Sequence, residues 1–121
     1  MRDVASLADA FLSRITEDET GLWELDDETI RALPSASGSE RRQLAVRALS
    51  ILLERRLVAA RQSEPFRAGS DLDPDVAISI LPEPESWTRP EREGSLTLML
   101  EATPEGRTFY FGGHKIVEDA T

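Results

Sequence analysis

Apolar residues recur along this chain with two different periods. Over residues 3–16, Val4, Leu7, Ala8, Phe11, Leu12 and Ile15 fall at i, i+3 and i+4 spacing. That spacing is the stripe of an amphipathic helix, with Asp3 as its N-cap. The acids of Glu17-Asp18-Glu19-Thr20-Gly21 oppose a helix dipole at its C-terminal end, so the helix is expected to stop before them. Residues 22–25, Leu-Trp-Glu-Leu, read as a short strand. Asp26 reads as the N-cap of a brief helix over 27–33, terminated by Pro34.

Ser37 and Glu40 have the S-x-x-E spacing of a capping box and start a long helix near Gly38. At about 100° per residue, Leu44, Ala45, Val46, Ala48, Leu49, Leu52 and Leu53 cover more than half of its circumference. Glu40, Gln43, Arg47, Ser50 and Glu54 share the narrow sector left to solvent. A helix this apolar must be covered on most sides. Residues 57–63 follow without a turn residue and read as a strand.

Residues 64–94 hold five of the seven prolines and read as an acidic, loop-rich excursion. Within it, the β-branched alternation of residues 76–81 predicts a strand. Residues 95–113 predict a hairpin. Leu96, Leu98 and Leu100 share one face of its first strand, residues 103–106 (Thr-Pro-Glu-Gly) form the turn, and residues 107–113 return. Phe109, Tyr110 and Phe111 would alternate on that second strand. The tail over 114–121 is expected to fray.

This element order is that of a winged helix-turn-helix. The phrase Val46-Arg47-Ala48-Leu49, continuing through Leu53-Glu54-Arg55-Arg56-Leu57-Val58 to Arg61, resembles the recognition helix and first wing strand of MarR- and PadR-like regulators. Thr103-Pro104-Glu105-Gly106-Arg107 resembles a phrase that follows the wing in that group. The resemblance covers residues 4–63. It implies an α+β, winged-helix-like single domain: three N-terminal helices, then a small antiparallel sheet. It also implies a DNA-binding role in transcription regulation.

Two departures stand out. Arg56 occupies the position where the family has glycine, which suits a left-handed helix exit, so a small strain or a different exit is expected. About 30 residues separate the first wing strand from the hairpin, longer than an ordinary wing. Either residues 57–63 pair with 76–81, or the wing carries an insertion.

Charge changes the functional picture. The chain is 121 residues long with a net charge of −9. Residues 1–40 carry 3 basic and 10 acidic residues, residues 41–67 carry 7 and 2, and residues 68–121 carry 4 and 11. A basic segment thus lies between two acidic ones. In the DNA-binding reading, Arg41 and Arg42 contact phosphate from the first turn of the long helix, where cations oppose the dipole. Gln43, Arg47 and Ser50 face the major groove, with Arg47 placed to read guanine, while Arg61 and Arg67 flank the backbone. The bland alternative makes these arginines a solvated face that balances the acidic flanks.

A net negative charge repels nucleic acid. The second functional reading is therefore a protein-interaction adapter or subunit of a larger complex. Trp87 would sit in a docking loop and Tyr110 would mark a partner surface.

No enzyme chemistry emerges. His114 is the single histidine. Asp71, Asp73 and Asp75 alternate like a calcium loop, but Val76 and Pro82 stand where its glycine and distal glutamate belong. Gly112-Gly113 is too little for a phosphate loop. No metal or cofactor is expected. There are no cysteines, so disulfides and thiolate chemistry are excluded. The sequence carries neither signal-peptide pattern nor membrane-length apolar run, and a cytoplasmic protein is expected.

Overall fold

The first helix, α1 (Arg2–Glu17), buries the predicted stripe: Val4, Leu7, Phe11 and Ile15 are almost entirely withdrawn from solvent. This computed structural model describes residues 2–63, 71–89 and 96–116. After α1 come β1 (Thr20–Gly21), α2 (Leu22–Ala32), α3 (Gly38–Glu54) and β2 (Val58–Ser63). A short helix α4 (Pro74–Ile80), a 3-10 turn at Pro84–Trp87, β3 (Thr97–Ala102) and α5 (Pro104–Phe111) complete the chain.

The three strands form one antiparallel sheet in the order β1-β3-β2. Val58 lies opposite Ala102 and Ser63 opposite Thr97, while Thr20 lies opposite Leu100 on the other side of β3. The fold is α+β and winged-helix-like, with three N-terminal helices and a small antiparallel sheet. Among the described residues, no helix is long and apolar enough to cross a membrane.

Helix α3 begins where the capping box places it. Ser37 is the N-cap, and its hydroxyl oxygen accepts from the Glu40 N–H at 3.1 Å. Ala45, Ala48, Leu49, Leu52 and Leu53 are buried against α1 and the sheet, whereas Gln43, Arg47 and Glu54 are exposed. The helix ends in a Schellman motif. The Leu57 N–H donates to the Leu52 carbonyl at 3.0 Å and the Arg56 N–H to that of Leu53 at 3.1 Å. The motif needs a left-handed residue, and Arg56 supplies it with φ of 57°. The strain expected of an arginine in a glycine position is therefore present.

Several expected elements are different. Residues 22–25 are the first turn of α2, not a strand, and Asp26 is inside that helix. Leu22, Leu25 and Thr29 are its buried residues, a helical spacing that a four-residue window hides. The Gly21 N–H, left without an intrahelical acceptor, donates to Glu24 Oε2 at 2.8 Å.

Residues 76–81 are not a strand. Pro74 presets φ at the start of α4, and Ala77 and Leu81, four apart, are buried while Val76 is 47% exposed. Strand β2 therefore pairs with β3, and α4 and the 3-10 turn lie in the connection between these two strands.

The C-terminal hairpin is replaced by a strand followed by a helix. Thr103 is an N-cap whose hydroxyl oxygen accepts from the Gly106 N–H at 2.9 Å, and Pro104 occupies the first turn. The same four residues suit a turn or a helix start, because proline fixes a φ that serves both. Phe109, Tyr110 and Phe111 thus lie on α5. The tail is anchored as far as Ile116, which is buried and whose N–H donates to Asp9 at 2.9 Å. Its remainder, 117–121, and Arg67 lie outside the described residues.

Candidate functional site

The basic face expected of α3 separates into two groups. Arg41 folds back over the C-terminal end of α2. Its Nε donates to the Leu33 carbonyl at 2.9 Å and its Nη2 to the Pro34 carbonyl at 2.9 Å. A helix C-terminus leaves carbonyls unpaired and carries partial negative charge, so a guanidinium is favoured there. The cation that looked misplaced at the start of α3 belongs to the end of α2. Arg42 points the same way. Its guanidinium lies 4.9 Å from the centre of the Trp87 ring and 3.6 Å from Asp26 Oδ1. Arg41 is accounted for by the α2 carbonyls, while the buried Nε of Arg42 has no hydrogen-bond partner among the described residues.

Arg61 is also spent within the fold. It is 9% exposed, hydrogen-bonded to Glu19, and 3.9 Å from Glu101. The hydrogen bond to Glu19 raises its pKa further, against the opposing effect of burial. A buried guanidinium between two carboxylates is an internal clamp that ties β2 to Glu101 of β3 and to Glu19, the residue before β1.

The second group stays on the surface. Gln43 and Arg47 are exposed on α3, one turn apart. Ser50 is half-buried and donates to the Val46 carbonyl at 2.7 Å, a bond internal to the helix. Glu40 and Glu54 close the two ends of this face, so its charge is mixed. Helix α4 packs on α3 but leaves Gln43 and Arg47 open.

The two residues expected at a partner surface also diverge. Trp87 is buried to 3% exposure, and its indole Nε1 donates to the Leu81 carbonyl at 2.7 Å. It pins the connection between β2 and β3 to α2 and is buried away from the surface. Tyr110 is half-buried on α5, and its hydroxyl is 2.9 Å from that of Ser13 on α1.

Sequence reasoning missed two concavities. One is a cleft of about 530 Å³ lined by Arg14, Trp23, Asp27, Arg31, Trp87 and Arg89, together with further α2 acids. Its arginines and carboxylates largely pair with one another, as in Arg14–Glu24 at 3.5 Å and Arg31–Glu28 at 3.6 Å. The other is a shallow, mainly apolar groove of about 460 Å³ beside α5, lined by Leu57, Pro104, Glu105, Thr108, Phe109 and His114. The Phe109 and His114 rings face each other with centroids 5.3 Å apart. A strand over 107–113 would hide this groove, because it forms only where Thr108 and Phe109 lie on a helix. Among the described residues, no cluster of His, Cys, Asp or Glu is arranged to hold a metal ion.

Comparison with protein-family models, with curated proteins and with solved structures finds no match. The MarR- and PadR-like resemblance rests on the residues quoted above alone.

Proposed function

We propose that the chain is a winged-helix-like protein-interaction module of the cytoplasm, working by binding and not by catalysis. One observation carries this reading: Arg41, Arg42 and Arg61 are engaged by the chain's own carbonyls, an indole and carboxylates. Counterion release from DNA requires several cations facing outward together. The exposed face of α3 offers Arg47 between Glu40 and Glu54 within a chain of net charge −9. Such a mixed surface suits a polar protein partner better than a polyanion.

A second reading, DNA contact through α3, is favoured by the exposure of Gln43 and Arg47 on the helix corresponding to a recognition helix. Titration of random duplex DNA at low salt separates the two. The protein-interaction reading expects no saturable binding at about 50 µM protein, a range in which non-specific DNA binders respond. Saturable binding that Arg47→Glu abolishes would overturn it and restore the DNA-binding role.

A further inference from the structure

We propose that a third concavity, the pocket between α1 and the end of α5, binds a free α-amino acid. The inference goes beyond the protein-interaction reading and does not depend on which macromolecule meets α3. The pocket holds about 250 Å³ and is lined by Asp9, Ala10, Ser13, Tyr110, His114 and Lys115. It is smaller than the roughly 300–1,000 Å³ of sites for drug-sized ligands, which suits a small metabolite.

The end of α5 builds this pocket. The Gly113 N–H donates to the Tyr110 carbonyl at 3.1 Å and the His114 N–H to that of Phe109 at 3.2 Å, which closes the helix in a Schellman motif. Gly113 supplies the left-handed residue with φ of 79°, and a Cβ there would meet only open space. The chain then returns to α1, where Ile116 is buried and its N–H donates to Asp9 Oδ1 at 2.9 Å. His114 and Lys115 are thereby brought to the same pocket as Asp9 and Ser13.

The groups that meet there match both ends of an amino acid. Lys115 is exposed, and among the described residues its ammonium has no ion pair or hydrogen bond. Asp9 is half-buried and gives Oδ1 to the Ile116 N–H, with no cation paired to it among the described residues. Opposite charges thus line one small pocket without neutralising each other. A simple anion would be repelled by Asp9 and a simple cation by Lys115, whereas a ligand with both an ammonium and a carboxylate satisfies the two together. The Ser13 and Tyr110 hydroxyls lie 2.9 Å apart, and one donates to the other. The second O–H is left to donate to the ligand's carboxylate.

The chain's only lysine, only histidine and only tyrosine all line this pocket, so a signal from any of them reports on it directly. The test is proton NMR of the full chain, following the His114 imidazole signal as each standard amino acid is added singly at fixed pH and salt. At least one should shift the signal saturably below about 20 mM, the weak range of metabolite affinity. Its N-acetyl derivative lacks the ammonium and its amide lacks the carboxylate, and each should bind at least about fivefold more weakly. Asp9→Asn keeps an oxygen for the Ile116 N–H, and Lys115→Gln alters an exposed side chain, so both should fold as the parent does. Each should weaken binding at least about fivefold. Ala10→Leu places a good helix former on α1 and fills the pocket, and should abolish the shift.

No saturable shift from any amino acid at about 20 mM would overturn the proposal. Equal binding of the two derivatives, or binding indifferent to Asp9→Asn and Lys115→Gln, would do the same. A shift produced as strongly by acetate or methylammonium would mean that the pocket answers to a single charge, and so overturn it too. The protein-interaction reading is decided separately by the DNA titration, so the two failures are distinguishable.

Discussion

Arg41 on α3 donates to the main-chain carbonyl of Leu33, the C-cap of α2, at 2.9 Å, and reaches the next carbonyl with the same guanidinium. The contact ties the end of one helix to the start of the next across the loop that sets their angle. Arg41→Ala removes two charge-assisted hydrogen bonds, one of them at an exposed carbonyl, and should cost about 1–2 kcal/mol. Arg41→Lys should recover less than half, because a single ammonium cannot fork to both carbonyls. Urea denaturation measures both. A change within about 0.3 kcal/mol for the alanine variant would mean that the fork contributes no stability.

The Arg61 clamp predicts an asymmetry between its two acids. Glu19 hydrogen-bonds the guanidinium, whereas Glu101 stands 3.9 Å away with a side chain 58% exposed. Glu19→Gln should therefore destabilise by about 2–4 kcal/mol, since it leaves a buried cation short of its main partner. Glu101→Gln should cost under about 1 kcal/mol, as screened pairs do. Equal losses in the two variants would contradict the clamp.

The same clamp has a pH signature. A raised folded-state pKa contributes stability that is present below the unfolded pKa and lost only as pH climbs through the folded one. The Arg61 pKa is raised from an already strongly basic value. Its contribution should thus survive intact through neutral and mildly alkaline pH. In denaturation at about pH 7 and pH 9, the cost of Arg61→Met should be the same at both. A cost that shrinks at the higher pH would contradict this assignment.

The sequence pattern was sufficient where one period ran uninterrupted over many residues. Helix α1 and helix α3 with its Ser37 cap were legible because a dozen or more positions repeat the same stripe. Helices α2, α4 and α5 were only partly legible or misread, for a shared reason. Each is short, and each opens with residues that suit a strand or a turn equally well: Leu-Trp-Glu-Leu, Asp-Pro-Asp and Thr-Pro-Glu-Gly. Tertiary burial of Leu25, Ala77 and Gly106 decided the outcome. The candidate site was legible in position and not in chemistry. Arg41 and Arg42 do face away from the core of α3, but charge spacing along one helix says nothing about the α2 carbonyls and the Trp87 ring that receive them.

Trp87 illustrates the same limit and yields a direct test. Its ring packs in the core, holds its indole N–H on the Leu81 carbonyl, and lies under the Arg42 guanidinium. Trp87→Ala should cost about 3–5 kcal/mol. Trp87→Phe retains much of the packing but orphans the Leu81 carbonyl, and should cost about 1–3 kcal/mol. Thermal unfolding ranks the two. An alanine variant as stable as the parent would return Trp87 to the surface.

Gly106 gives the sharpest separation between local propensity and tertiary packing. In the interior of an exposed helix, replacing glycine by alanine gains about 1 kcal/mol. Gly106 lies in the first turns of α5, yet a Cβ there would come within 1.9 Å of the Leu57 carbonyl oxygen. That oxygen is a main-chain atom and is held by the Thr103 N–H at 3.1 Å, so it cannot swing aside as a side chain would. Relief requires α5 to move off the end of α3, which also strains the Thr103 hydroxyl bond to the Arg56 carbonyl. Such overpacking costs about 1–3 kcal/mol beyond any helical gain. Gly106→Ala should therefore destabilise, while an exposed neighbour free of this contact, Glu105→Ala, should stay within about 0.5 kcal/mol of the parent. Urea midpoints of the two variants decide the matter, and a Gly106→Ala chain more stable than the parent would show that α5 does not seat on Leu57.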